Sequence, residues 1–227
     1  MLQQVMNQVS KDILVNQQLE GVLLSFKDLW VGDDLGRTKL VQHAINLEVN
    51  KPIASRCRRY SEEQKLIIEK EVREMLPKDV IRESQNYRPL NKITTKDEFP
   101  IPRIDDLLRA VKGSRYFIAL DLRAGYWQVT MKADDIPKTA FRTPSGLYEF
   151  TVVPFGLVNA PTTFQRLVTH VFGDLFWEGV LVYLDDILIH ASTLPRIMEL
   201  LQEVFKRLRF AGLKLRLSKC TFLPSQI

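Results

Sequence analysis

Cysteine is scarce in this sequence. Cys57 and Cys220 are the only two, they lie far apart, and neither sits in a CxxC or Cys–His spacing. A disulfide framework and a zinc site are therefore not indicated, and a reducing compartment fits. Long apolar runs are absent as well. None approaches the roughly 20 residues that a bilayer-spanning helix requires, and the start Met1-Leu2-Gln3-Gln4 has no basic stretch leading into an apolar one. The expectation is an intracellular protein, cytoplasmic or nuclear, with no membrane partner. Internal repeats and low-complexity tracts are lacking too, which sets repeat architectures aside.

What is present is an ordinary globular mixture. With 227 residues, 45% hydrophobic and 26% charged, the chain is long enough for one sizeable core and a satellite lobe. Lys and Arg number 32 against 27 Asp and Glu, a net charge of +5 that is compatible with a polyanionic partner without requiring one.

The stretch Gly179–His190 organises the chain: two apolar strand-like runs with Asp185-Asp186 between them, a β-hairpin pattern. Asp-Asp is poor chemistry for a tight turn, which favours Asn-Gly or Asp-Gly. Two like charges on a largely buried hairpin are costly without a cation or donor network. A divalent metal site is one reading; a solvated turn with idle aspartates is the other.

Around it the chain reads in order. Apolar positions from Leu19 to Trp30 suggest a short helix near 17–30, Gly32–Gly36 a turn, and Leu40–Leu47 an edge strand or arm with His43 at the surface. Ser61-Glu62-Glu63-Gln64 is a capping box whose helix carries Leu66, Ile67, Ile68, Val72, Met75 and Leu76 and is closed by Pro77. Ser84–Pro102 is extended and proline-punctuated, and Ile104–Val111 is a short helix whose Asp105-Asp106 suits its first turn. Tyr116–Leu122 is an apolar strand with one embedded carboxylate, Asp121, which a core strand rarely holds without a partner. Tyr126–Met131, Thr139–Arg142 and Leu147–Val153 read as further strands. Asn159 caps a helix with Pro161 in its first turn, Thr193 and Pro195 open another that stops at Gly212, and Leu213–Leu217 alternates like a strand. From 116 onward this order is that of an α+β, split βαβ (ferredoxin-like) antiparallel sheet with two helices. The first strand and the central hairpin are then neighbours, and Asp121 faces Asp185 and Asp186.

Three carboxylates from adjacent strands, with no His or Cys in reach, form a hard-oxygen site suited to magnesium or manganese rather than zinc. Two such ions support in-line phosphoryl displacement, so nucleotidyl transfer is the natural chemistry.

Seven motifs now carry a family resemblance: Tyr87–Lys92, Phe99–Asp106, Leu120–Gln128, Lys138–Phe141, Val153–Pro161, Tyr183-Leu184-Asp185-Asp186 and Gly212–Lys214, in unbroken order but for one gap. The chain resembles the reverse transcriptase of gypsy-type long-terminal-repeat retrotransposons. The resemblance implies a reverse-transcriptase palm over 116–227, incomplete fingers over 51–115, and a polyprotein linker or extended arm over 1–50. It implies that Asp121 and Asp185 ligate two Mg2+ (or Mn2+) ions and that Asp186 completes the acidic cluster. Tyr126 corresponds to a steric gate against the ribonucleotide 2′-hydroxyl, with half-buried packing as the competing role. Phe155 corresponds to a residue against the incoming sugar, with plain core packing as the competing role. Gly125 belongs with the nucleotide site, and Lys219 lies near the leaving pyrophosphate. Arg88 and Lys92 match template-contacting finger residues, or are simply solvated.

Two departures from the family follow. Gln85-Asn86 joins Ile81–Ser84 directly to Tyr87, where the family carries a Lys- and Arg-rich fingers hairpin. The sequence also stops before the thumb, connection and ribonuclease H regions, and no Asp-Thr-Gly protease motif precedes the match. The implied function is an RNA-directed DNA polymerase acting on deoxynucleoside triphosphates and a primed RNA or DNA template. A partner chain would supply thumb and ribonuclease H. The alternative is a non-enzymatic nucleic-acid-binding remnant.

Overall fold

Among the described residues, short strands carry the sheets and five helices accompany them. The computed structural model describes residues 13–48, 60–84, 94–100 and 102–223. They fall into two units, each discontinuous in sequence. The first comprises Met1–Gly36, Phe99–Gly125 and Phe164–Ile227, and the second Arg37–Glu98 and Tyr126–Thr163. Neither coincides with the contiguous segments 1–50, 51–115 and 116–227.

The first unit holds a four-stranded sheet of order β7-β8-β3-β9, with β3 at Tyr116–Asp121, β7 at Val180–Tyr183, β8 at Asp186–Ala191 and β9 at Thr221–Phe222. All its pairings are antiparallel. Ile118, Leu120, Val180, Val182, Ile187 and Ile189 are buried, whereas Ala119 between the first two is exposed, as the period of two demands. Helix α5 (Leu194–Ala211) packs on β8 and β3 through an apolar face that includes Ile197, Leu201, Val204 and Leu208. It opens with Pro195 in its first turn and ends on Gly212 at φ +70°, where the left-handed conformation favours glycine. Helix α1 (Ile13–Ser25) starts earlier than the expected 17–30 and is followed by a 3₁₀ turn at Lys27–Leu29. Leu19 and Leu23 are fully buried, and the Phe26 and Trp30 rings lie 5.4 and 5.8 Å from that of Phe205 on α5. Arg209 covers the Phe26 ring and donates to Asp28, whose carboxyl is held below its ordinary pKa chiefly by that hydrogen bond. Helix α3 (Ile104–Ala110) carries Asp105 and Asp106 in its first turn, as expected.

In the second unit β2 (Ile81–Glu83), β6 (Gly146–Phe150) and β5 (Phe141–Thr143) form an antiparallel sheet in the order β2-β6-β5. A parallel pair joins β1 (Thr38–His43) to β4 (Val129–Met131). Helix α2 (Glu62–Met75) begins with the expected capping box: Ser61 Oγ accepts from the Gln64 amide, and Gln64 Oε1 accepts from the Ser61 amide. Its apolar face is less covered than the spacing implies, since Val72 is buried but Leu66 and Ile67 are exposed. Helix α4 spans Ala160–Phe172.

Five expectations need correction. Tyr126 is not in a strand: Gly125–Gln128 is a 3₁₀ turn, and β4 starts only at Val129. Ala133–Thr139 is likewise 3₁₀, so the next strand starts at Phe141. Leu213, Leu215 and Leu217 are buried in alternation as a strand's would be. Only Leu215 forms a bridge, to Leu122, before a 3₁₀ turn at Leu217–Lys219. Finally, His43 is buried, its Nδ1 2.7 Å from Thr163 Oγ1. Asn159 stands just before α4 as expected, but its side chain binds elsewhere: Oδ1 accepts from the Asp97 amide and Nδ2 donates to the Thr95 carbonyl.

Candidate active site

Strand β3 delivers Asp121 at its C-terminal end, directly opposite Asp186, the first residue of β8. Both peptide groups of Asp121 are engaged on the other side: its carbonyl accepts from Arg216 N–H at 2.9 Å and its amide donates to Cys220 Sγ at 3.4 Å. Asp121 and Asp186 are therefore a non-hydrogen-bonded cross-strand pair, the kind whose Cα atoms approach to about 4.5 Å and whose side chains lie closest. Asp121 projects on the face away from buried Leu120, the face of exposed Ala119.

The hairpin itself differs from the sequence reading. Tyr183 pairs with Asp186, so the two-residue turn is Leu184-Asp185, and Asp186 is a strand residue rather than a turn residue. Leu184 takes φ +55°, a conformation that suits glycine and costs a leucine on the order of 1–3 kcal/mol. This strained residue throws Asp185 out at the tip. Sequence reasoning passed over Leu184 because nothing in a leucine signals a positive φ.

Packing beneath the tip explains Gly125. A Cβ built there would lie 2.9 Å from the Asp185 Cβ and 3.3 Å from the Phe164 ring. Only glycine lets the chain after β3 pass this close to the hairpin.

Charge in the cluster is uncompensated in one place and balanced in another. Asp186 has its pKa raised, first by desolvation and then by the neighbouring carboxylates Asp185 and Asp121, with Lys219 opposing. Lys219 Nζ stands 3.9 Å from Asp121 Oδ2. Among the described residues, no group of three or more His, Cys, Asp or Glu side chains is gathered so as to hold a metal ion. The donor chemistry nevertheless fits a hard divalent cation: the carboxylates are oxygen ligands, partly open to water, and mutually repulsive without a positive charge between them.

The first unit thus brings together Asp121, Asp185, Asp186, Gly125 and Lys219. Tyr126 and Phe155 belong to the second unit, where their rings meet edge to face with centroids 5.3 Å apart. The Trp127 ring lies 6.0 Å from that of Phe155, and Phe155 is nonetheless 60% exposed, too open for a plain core residue. Arg88 and Lys92 lie outside the described residues. Sequence reasoning missed Cys220 as a neighbour of Asp121, since a lone cysteine carries no spacing signal.

Comparison with known proteins gives this geometry a context. Residues 78–227 match the family model described as reverse transcriptase (RNA-dependent DNA polymerase). The chain is 36% identical to the retrovirus-related Pol polyprotein from transposon 297 of Drosophila melanogaster, over 92% of this chain and 22% of that protein. It is 39% identical to the Pol polyprotein from transposon opus of the same fly, over 63% of this chain and 14% of that one. The transposon Tf2-3 polyprotein of Schizosaccharomyces pombe is 35% identical over 63% of this chain and 11% of its own length. The chain therefore spans about a fifth or less of these relatives. Among solved structures, the foamy viral protease-reverse transcriptase in complex with an RNA/DNA hybrid superposes with a TM-score of 0.88 at 23% identity, over all of this chain and 33% of that one. The same viral protein in a dRH form with double-stranded DNA gives 0.89 at 21%, over all of this chain and 44% of that one. At that identity the likeness speaks to the fold, a reverse-transcriptase fold.

Proposed function

Because this chain belongs to the reverse transcriptase family, we propose that its acidic hairpin is the metal-binding centre of an RNA-directed DNA polymerase. The observation that carries the reading is the close cross-strand pair Asp121–Asp186, with Asp185 at the adjoining strained turn and Lys219 beside it. Asp121 and Asp185 are assigned as ligands to both ions, and Asp186 as the residue that completes the cluster. Two divalent ions bound there would supply charge neutralisation at the attacking and leaving oxygens of a nucleotidyl transfer. Lys219, tied loosely to Asp121, is placed to meet the negative charge that develops on departing pyrophosphate. Tyr126 is the sugar gate, with Phe155 as the ring it rests against, and Gly125 gives the nucleotide site its clearance. Arg88 and Lys92 are template contacts. On this reading 116–227 is the palm, 51–115 incomplete fingers and 1–50 a polyprotein linker or extended arm. Deoxynucleoside triphosphates and a primed RNA or DNA template are the substrates, and a second chain contributes thumb and ribonuclease H. The protein works inside the cell. Among the described residues no helix is long and apolar enough to cross a membrane.

A second reading, a nucleic-acid-binding remnant without turnover, draws on one observation. The alignment with the transposon 297 protein runs over 237 positions, more than this chain's 227 residues, so the relative carries residues that have no counterpart here. On this reading some of those residues form the Lys- and Arg-bearing fingers hairpin that would stand between Ser84 and Tyr87. The discriminating experiment is extension of a DNA primer on an RNA template with Mn2+ or Mg2+. The expected result is slow, cation-dependent incorporation by the native chain, abolished in Asp121→Asn and Asp185→Asn. Template binding with no incorporation at any cation concentration would decide for the remnant.

A further inference from the structure

Arg216–Cys220 is a five-residue turn whose sequence, Arg-Leu-Ser-Lys-Cys, suggests nothing beyond an end of strand. In space it surrounds one residue. The Arg216 amide donates to the Asp121 carbonyl at 2.9 Å, Cys220 Sγ accepts the Asp121 amide at 3.4 Å, and Lys219 Nζ lies 3.9 Å from the Asp121 carboxylate. The turn is itself locked. Lys219 N–H donates to the Arg216 carbonyl and Cys220 N–H to the Leu217 carbonyl, while the Cys220 thiol is 3.5 Å from the Arg216 carbonyl. Leu217 and Cys220 are buried, 2% and 3% exposed, so the turn cannot swing away without opening the core.

The regular ladder makes this arrangement necessary. Pairing of β3 with β9 is recorded at Ile118–Phe222 and Ala119–Thr221, and from there β9 turns into the 3₁₀ segment. Between Thr221, which pairs with Ala119, and Leu215, which bridges Leu122, the 3₁₀ segment interrupts the partner strand opposite the Asp121 amide. The cysteine sulfur stands in as acceptor. Sulfur suits the position because its larger radius spans a gap of about 3.4 Å that a hydroxyl oxygen meets only by a shift of a few tenths of an ångström.

We propose that the Arg216–Cys220 turn is a positioning element for the Asp121 carboxylate, with Cys220 its key side chain. The proposal rests on the reading of Asp121 as a metal-binding residue. Cys220 touches neither metal nor substrate in it; it acts through the Asp121 peptide, holding the end of β3 in the pose that opposes Asp186. The thiol works as a hydrogen-bond acceptor in the reduced state and performs no chemistry.

Two readouts on the full chain test this. The first is amide hydrogen exchange of β3 by NMR in the wild type, Cys220→Ala, Cys220→Val and Cys220→Ser. Loss of the acceptor in the alanine variant should speed exchange at Asp121 by at least about tenfold, with Ile118 and Leu120 changed far less, and serine should recover most of the protection. Valine keeps the volume and lacks the acceptor, so it stands in for alanine where a cavity destabilises the fold. Unchanged Asp121 protection, or an even loss along the whole strand, overturns the proposal and leaves Cys220 a packing residue. The second readout is Mn2+ affinity, followed by electron paramagnetic resonance with Asp121→Asn as reference. Alanine or valine at 220 should weaken binding several-fold, with serine restoring it, at thermal midpoints close to the wild type. Wild-type affinity in both variants overturns the proposal. If the native chain shows no binding that depends on Asp121, the metal reading itself fails, and the exchange data alone then decide whether the turn positions Asp121.

Discussion

A methyl group at position 125 is the smallest change that reaches the acidic cluster. It would meet the Asp185 Cβ at 2.9 Å and the Phe164 ring at 3.3 and 3.4 Å, and Phe164 is fully buried and has nowhere to retreat. The hairpin tip is the softer neighbour, so Gly125→Ala should displace Asp185 rather than the core. Overpacking of this kind typically costs about 1–3 kcal/mol. The expected outcome is a modest fall in the thermal midpoint together with a drop of about tenfold or more in Mn2+ affinity and primer extension. Equal Mn2+ affinity in calorimetry would show that the turn yields without moving the carboxylate. At this scale the sequence was legible where charge conflicts with surroundings. Asp121, Asp185 and Asp186 stand out because carboxylates in apolar strands demand compensation. Leu184 and Cys220 do not stand out: a leucine with φ +55° and a buried cysteine accepting an amide are written with letters that ordinarily mean core.

Among the elements, β1 ends on the residue that the sequence placed at the surface. His43 sits with Nδ1 2.7 Å from Thr163 Oγ1, and burial pulls its pKa down to about 4, against the opposing pull of Asp135 and Asp97. Asp135 is itself fixed, accepting from the Ile45 amide at 2.9 Å and pairing with Lys138 at 2.5 Å. A histidine whose folded pKa lies below its unfolded value near 6.5 must be neutral to fold. Its contribution is full above pH 6.5 and is lost as pH falls through about 4, amounting to about 3 kcal/mol at the acid limit. His43→Gln keeps a hydrogen-bonding group without the titration. Urea unfolding of the two proteins should therefore converge as pH drops from 7 to 3.5, the wild type losing more; parallel pH profiles would remove His43 from the account. The miss at His43 is one of burial, on a strand that does pair, whereas the misses at Tyr126 and at Leu213–Leu217 are of pairing. Periodicity reports which residues are buried, and it reported Leu213, Leu215 and Leu217 correctly. Whether a buried alternation is paired as a ladder depends on distant backbone, which no local pattern carries. Elements with chemical end signals were read well: the Ser61 capping box, Pro195 and Gly212 each mark a boundary the structure keeps.

At the scale of the whole molecule, the proposed loss of a fingers hairpin between Ser84 and Tyr87 can be set against what the described residues on either side are anchored to. On the upstream side, Ser84 N–H donates to the Leu147 carbonyl, its Oγ donates to Glu149 Oε2 at 2.6 Å, and Arg82 Nε reaches Glu149 Oε1 at 2.7 Å. Glu149 is only 5% exposed, so this end is tied into the β2-β6-β5 sheet. On the downstream side, Thr94 bridges Leu47, the Thr95 amide donates to the Asn46 carbonyl, and Asn159 holds both the Thr95 carbonyl and the Asp97 amide. Both flanks are secured by bonds among the described residues. Extra residues in a connection add loop-closure entropy only slowly, about 0.6 kcal/mol for each doubling of length, so a grafted hairpin should leave the second unit folded. Its effect on function should be larger, because cationic side chains closing over a triphosphate act directly on the charge that phosphoryl transfer redistributes. The acidic cluster belongs to the first unit and is untouched by the graft, so Mn2+ affinity should stay within about twofold of the native chain. Deoxynucleotide affinity should rise by about tenfold or more in a filter or fluorescence titration, and single-nucleotide incorporation should rise with it. The opposite result is equally readable: rapid, processive synthesis by the native 227-residue chain, with no gain from the graft, would mean that the triphosphate is held by groups other than a fingers hairpin.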